Sequence, residues 1–450
     1  MTDQAESTTG VTPNTRLAYA VGDLGINLYF MSAMTFLLIF YTDVFGLSAE
    51  VAAWVFLVAR VIDAVTDPLM GYLADRTRSR WGKLRPYLLF GPVPLALISL
   101  ATFTVPDFDD AGKIAWAYVT YILFGIVYTV VTIPYAAMTA VLTDNHHERT
   151  KLSTLRMACA FAGGWGVSVG MMPLVGVLGG GAGGWMWTMA LFGVAATALL
   201  WWTFAGTAER TVATPAQPIS LAEAGRALVT NPPLAVVILV FVLGMLAFTF
   251  RQASAPFYFK YNVGREELVS LYFSVTLGVM FLGLVAIPAL SARLGKAGAI
   301  RVGALVAMLG GVGFYLTPPD NVLMVFVWGA LLSLGGAPVA VLGWAMIPDT
   351  VEYAQWRTGA RADGVIFSTA SFFQKMGKAL GGWAVAALLA WFGYVANQPQ
   401  TAESLHGILV LMSICPLLVN VALLGATFLY RLDGKTHEGI VAALRERAEA

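Results

Sequence analysis

The sequence predicts an all-α integral membrane protein whose twelve transmembrane helices form two six-helix bundles. Three observations predict this. Hydrophobic residues make up 58% of the chain and charged residues only 12%, whereas a soluble domain carries roughly 25% charged residues. The apolar residues gather into twelve stretches of about the 20 residues that cross ~30 Å of hydrocarbon. The longest polar connection, residues 207–233, divides those stretches six and six.

Residues 1–16 are polar and lack the apolar run of a secretory leader, so the first helix, opening near Leu17, is expected to direct insertion itself. Five more helices open near Val51, Pro86, Ile114, Ser153 and Trp185, completing a bundle over 1–206. Within the 207–233 linker, Ser220-Leu221-Ala222-Glu223 fits a capping box for a short surface helix, Leu221 to Val229, stopped by Asn231-Pro232-Pro233. The second bundle, 234–431, opens its helices near Leu234, Leu268, Ala297, Val322, Gly364 and Leu405, and 432–450 forms a polar tail. Most of the 27 Lys and Arg residues fall in alternate loops, with Lys113, Lys260 and Arg265 in the other set. The positive-inside rule then places both termini in the cytoplasm.

The chemistry concentrates where apolarity fails. Asp63 and Asp67 lie one turn apart near the middle of the second helix, and a charge at that depth costs roughly 3 kcal/mol, so such residues face a cavity and mark an ion or substrate path. Two carboxylates ~5 Å apart repel by about 3 kcal/mol at an effective dielectric of ~20. A bound Na+ or a shared proton removes that cost, and Thr66, Thr129 and Thr132 offer the neutral oxygens a hard cation prefers. The competing reading is that Arg60, three residues before Asp63, neutralises it.

Arg156, Arg251, Lys375 and Lys378 also fall at membrane positions, as does Asp23. Lys375 lies too deep to snorkel, whereas Arg251 lies toward the outer end of its helix and could reach the interface. Tyr29, Tyr128, Tyr135, Phe372 and Phe373 are near these charges and suit sugar faces, although most membrane aromatics simply pack or face lipid. The halves echo one another: Leu142-Thr143-Asp144 with Arg149, and Ile347-Pro348-Asp349 with Arg357, each precede a helix with a buried base. The basic run Arg76 to Arg85 is expected at the cytoplasmic surface, paired with Asp75, Asp144, Asp349 or Glu352.

Other classes are disfavoured. Cys159 and Cys415 lie within helices, His146-His147 lacks partner ligands, and no GxxxxGK[ST] occurs, so metal, disulfide and nucleotide chemistry are not expected. A net charge of +1 predicts no nucleic-acid partner. No nucleophile and base pair up, so an enzyme is not expected.

Gly71-Tyr72-Leu73-Ala74-Asp75-Arg76 with Arg78 and Arg80 resembles the loop signature of the major facilitator superfamily. The string Asp63-Ala64-Val65-Thr66-Asp67-Pro68-Leu69-Met70-Gly71, continuing through Trp81-Gly82-Lys83, is similar to the glycoside-pentoside-hexuronide:cation symporters, the melibiose permease family. Tyr41-Thr42-Asp43, Tyr128-Thr129-Val130-Val131 and Pro348-Asp349-Thr350-Val351-Glu352-Tyr353 match as well, so the resemblance spans nearly the whole chain.

The resemblance implies the major facilitator fold in a bacterial inner membrane and sugar uptake coupled to Na+ or H+. It implies a cation site at Asp63, Thr66, Asp67 and Thr129, with Asp63 and Asp67 as the Na+ ligands if sodium is the coupling ion. Sugar positions fall on Tyr128, Arg156 and Lys375, and Asn27 and Thr132 stand where melibiose permease has acids. Ala136 and Ala340 replace two of its tryptophans. This pattern is closer to the glucuronide and pentoside carriers, and the more positive site favours a hexuronide that Arg156, Lys375 or Arg251 would pair, with neutral pentosides as the alternative. No cofactor is expected beyond the coupling cation; the partners are a small sugar or glycoside and membrane lipid, and the expected state is a monomer. A lysolipid carrier of the same fold and a non-transporting sugar sensor are the rival readings.

Overall fold

The computed structural model describes residues 11–143, 146–209, 225–226, 228–359, 363–432 and 434–449. Every regular element among them is helical. The first half comprises α1 (Pro13–Ile39), α2 (Ala49–Arg76), α3 (Arg85–Phe90), α4 (Pro92–Thr102), α5 (Asp110–Leu142), α6 (His146–Val177) and α7 (Gly181–Gly206). The second comprises α8 (Pro232–Phe257), α9 (Leu268–Leu316), α10 (Val322–Thr358), α11 (Asp363–Trp391), α12 (Ala402–Met412), α13 (Ile414–Phe428) and a tail helix, α14 (Gly434–Glu449). With α3 and α4 in one span, α12 and α13 in another and α9 counted as two, these make the twelve crossings of the sequence reading. Gly225, Arg226, Leu228 and Val229 are helical, and the rest of the expected linker helix lies outside the described residues.

Polar caps set the starts. Asp109 accepts the amide of Gly112 at 2.9 Å to open α5, and Asn231 accepts that of Leu234 at 3.1 Å to open α8, with Pro232 and Pro233 in the first turn. The spans expected from Leu268 and from Ala297 are two helices that meet within α9 at a kink, where Gly295 leaves the helical conformation with a φ of 73° that only glycine adopts freely. Small residues then let α9 and α10 pack backbone to backbone: a Cβ on Gly303 would stand 2.6 Å from the Gly335 carbonyl.

By packing, the chain forms two units: Met1–Ala33 with Val58–Pro215, and Met34–Leu57 with Ala216–Ala450. The sequence reading puts 34–57 with the first bundle; in the structure this stretch includes Asp43, whose partners lie in the second unit. Its buried carboxylate accepts hydrogen bonds from Lys260, Tyr261 and Tyr394, and its carbonyl accepts one from Asn397. Phe36 packs edge-on to Phe273 at 6.0 Å in the same unit.

α1 ends in a π turn, Phe40–Val44, followed by Gly46 at φ 89°. α8 ends in a π turn of the same length, Tyr258–Asn262, followed by Gly264 at φ 72°. The closing bonds match residue for residue: Phe45 to Phe40 and Leu47 to Tyr41 in one, Val263 to Tyr258 and Arg265 to Phe259 in the other. This repeat is tighter than the one expected from the Asp–Arg loops, of which Asp144 and the Arg149 side chain lie outside the described residues.

The basic loop after α2 is held by a residue the sequence reading passed over. The carboxylate of Glu209 accepts the amides of Lys83 at 2.9 Å, Leu84 at 2.7 Å and Arg85 at 3.1 Å, satisfying the open amides at the start of α3. Arg85 in turn donates to the Phe204 carbonyl at 2.8 Å in the last turn of α7. The expected partners are engaged elsewhere or not described. Lys296 bonds both oxygens of Asp349, at 2.9 and 2.7 Å, and His437 of α14 pairs with Glu352. Asp144 and the Asp75 side chain lie outside the described residues.

Candidate functional site

In the first unit, α2 and α5 bring the acidic pair together with its partners. Asp63 and Asp67 are half-buried on successive turns. Arg60 donates to Asp63 Oδ2 at 2.6 Å and, with its other terminal nitrogen, to the Tyr121 hydroxyl at 2.5 Å. Thr129 of α5 donates to Asp67 Oδ1 at 2.8 Å, so the structure joins two of the four expected cation ligands directly. The hydroxyl of Thr66 turns instead toward the Asp63 carbonyl, at 3.4 Å. Gly125 makes the close approach possible, because a Cβ there would stand 2.6 Å from Asp63 Oδ1. Arg60, Asp63 and Asp67 together carry a formal charge of one negative unit, which a single monovalent cation would balance.

A second cluster joins α1, α5 and α6. Arg156 pairs with Asp23, donates to the Tyr19 hydroxyl at 3.2 Å and lies 5.1 Å from the centre of the Tyr135 ring. Tyr135 donates to the Tyr19 carbonyl at 2.7 Å, and the two rings sit 5.0 Å apart. Asn27 donates its amide to the Asp23 carbonyl at 2.8 Å, beside the surface of Gly163. The expected sugar residues Asn27 and Arg156 therefore share a neighbourhood organised by Asp23 and Tyr19, neither of which was a site residue in the sequence reading. The signal was present in the lone acid Asp23 on an apolar helix. Tyr128 packs against Phe30 and Phe124 at 6.2 and 6.0 Å, and Thr132 is half-buried one turn further along α5. Tyr29 and Tyr135 are buried within the helix packing, Tyr29 donating to the Gly193 carbonyl at 3.2 Å.

In the second unit, Lys375 is exposed on α11, and Arg251 is buried on α8 with 9% of its surface exposed. The residues around Arg251 from Thr249 to Phe259 are buried too, so this side chain does not reach a lipid or water interface, and the snorkelling alternative does not describe it. Among the described residues, no group of three or more His, Cys, Asp or Glu side chains is arranged to hold a metal ion.

The family model described as MFS/sugar transport protein matches residues 18–434. The uncharacterized symporter YnaJ of Bacillus subtilis (strain 168) is 37% identical over 96% of this chain and 94% of its own length. The isoprimeverose transporter of Lactiplantibacillus pentosus is 36% identical over 87% of this chain and 83% of its own. Among solved structures, the nucleoside transporter NupG superposes with a TM-score of 0.64 at 12% identity, covering 92% of this chain and 99% of that one.

Proposed function

The chain belongs to the glycoside-pentoside-hexuronide:cation symporters of the major facilitator superfamily, and on that premise we infer that it takes up a sugar or glycoside of hexuronide or pentoside type with Na+ or H+. It is a multi-pass membrane transporter and not an enzyme. The observation that carries the coupling is the α2–α5 cluster, in which two carboxylates stand on successive turns beside one guanidinium and a threonine hydroxyl bonds the second of them. In this reading Asp63, Asp67 and Thr129 hold the cation, with Thr66 as a further oxygen. Arg60 shifts its weight toward Tyr121 as the ion arrives. Asn27, Tyr128, Thr132 and Arg156 supply the first unit's contacts to the sugar, and Arg251 and Lys375 those of the second.

Alternating access follows if the loaded arrangement is stabilised by both ligands, since two ligands that share a state raise each other's affinity reciprocally. The test is uptake of labelled methyl glycosides into proteoliposomes under an imposed Na+ gradient, a pH gradient or neither. One gradient should drive accumulation above the outside concentration, and an ionophore that collapses it should abolish accumulation. Equal uptake with and without gradients would overturn cation coupling.

Bacterial inner-membrane location, a monomeric state and cytoplasmic termini belong to the same reading. A cysteine replacing exposed Ser79 in the loop after α2 should react with an impermeant maleimide only from the cytoplasmic side. Labelling in intact cells would reverse the orientation.

A further inference from the structure

Among the described residues, Arg251 is a buried cation with no acid beside it. The group that acts on it electrostatically is the Tyr272 hydroxyl. Burying an unpaired guanidinium costs several kcal/mol, and an apolar side chain of similar volume would avoid that cost. The neighbouring side chains do nothing to offset it. Ser254 and Tyr258 follow Arg251 at i+3 and i+7 on the same face of α8. Their hydroxyls, with that of Tyr272 from α9, are buried and have no hydrogen-bond partner among the described residues. On α10, two glycines line this group, and the one beside Tyr272 leaves room that a side chain would take. A Cβ on Gly336 would lie 3.8 Å from Arg251 Nη2, and one on Gly329 would lie 2.7 Å from the Tyr272 oxygen.

One guanidinium and three uncommitted hydroxyls make a donor set with no fixed negative charge. We propose that Arg251, Ser254, Tyr258 and Tyr272 form a seat for a sugar oxyanion, a carboxylate or a sulfonate, and so select an acidic over a neutral glycoside. The proposal rests on the sugar-symport reading and assigns the selective charge to Arg251. Of the other two expected partners, Arg156 already carries Asp23, and Lys375 is exposed on α11. A guanidinium donates two parallel bonds to either oxyanion, and the tyrosine hydroxyls can donate to the remaining lone pairs.

The experiment measures binding of methyl glucoside, methyl xyloside, methyl glucuronide and the 6-sulfonate of methyl glucoside to the full-length protein in nanodiscs. The wild type should bind the carboxylate or the sulfonate about ten- to hundredfold more tightly than its neutral counterpart. Which of the two is preferred identifies the oxyanion. Arg251→Gln should erase that ratio, weakening the acidic glycosides at least about tenfold more than the neutral ones; Arg251→Lys should keep part of it, and Tyr272→Phe should lower it less. Because Arg251→Gln removes an unpaired buried charge, its thermal midpoint should equal or exceed that of the wild type. Equal affinity of wild type for acidic and neutral glycosides, or equal loss of both in Arg251→Gln, would overturn the seat while leaving symport intact. If no glycoside is bound or accumulated at all, the symport reading fails and the seat with it.

Discussion

Asp67→Asn should lower gradient-driven sugar accumulation by about thirty- to a hundredfold or more, while the protein inserts and folds at wild-type levels. The size follows from losing a charge-assisted contact to a desolvated cation, worth about 2–3 kcal/mol or more, where each 1.4 kcal/mol is tenfold in affinity. The Thr129 hydroxyl still finds the side-chain oxygen of the introduced asparagine in that variant, so the fold keeps its α2–α5 contact. Asp63→Asn should be equally inactive but less stable, since Arg60 then loses its carboxylate and keeps only Tyr121. Gly125→Ala separates geometry from charge. Its new methyl group would stand 2.6 Å from Asp63 Oδ1 and displace the carboxylate, so cation affinity should fall about tenfold with every charge retained. The readout is the cation concentration for half-maximal uptake, and full accumulation by both Asn variants would show that the pair is structural.

The second large effect concerns stability. Arg156→Gln leaves Asp23 buried without its cation, and removing one member of a buried pair costs about 3–5 kcal/mol. Asp23→Asn should cost a similar amount for the mirror reason. The double variant Asp23→Asn, Arg156→Gln should recover most of the loss, because a neutral amide pair needs no counter-charge, yet transport should stay absent with Arg156 gone. Thermal unfolding of the four proteins in one detergent closes the cycle. A double variant as unstable as the sum of the singles would mean that the two side chains do not act as a pair.

The helices and the charged positions on them were legible in the sequence, because membrane depth makes both apolar length and its interruption conspicuous. Asp63, Asp67 and Arg156 stand out for that reason alone. Their partners were less legible. Nothing local to Arg156 points to Asp23, and nothing in the loop after α2 points to Glu209, more than a hundred residues away in sequence. Such pairs depend on how helices lean on one another, which periodicity does not encode. The boundary between the spans expected from Leu268 and Ala297 was legible too: the chain leaves the helical conformation at Gly295, and the second helix starts directly after it with no loop between. The partners of Asp43, Lys260 and Tyr394 among them, also lie far along the chain.

The two π turns mark an internal repeat of backbone geometry. A π turn inserts one residue into a helical ladder and weakens it locally. Here the same irregularity closes the first helix of each half, with the same bonds and the same left-handed glycine two residues later. The residues within it differ, Asp43 in one half and Tyr261 in the other, so the shared property is the path of the main chain and not the side chains it carries. Deleting one residue from either turn should restore a regular ladder there and rotate every side chain beyond it by about 100°.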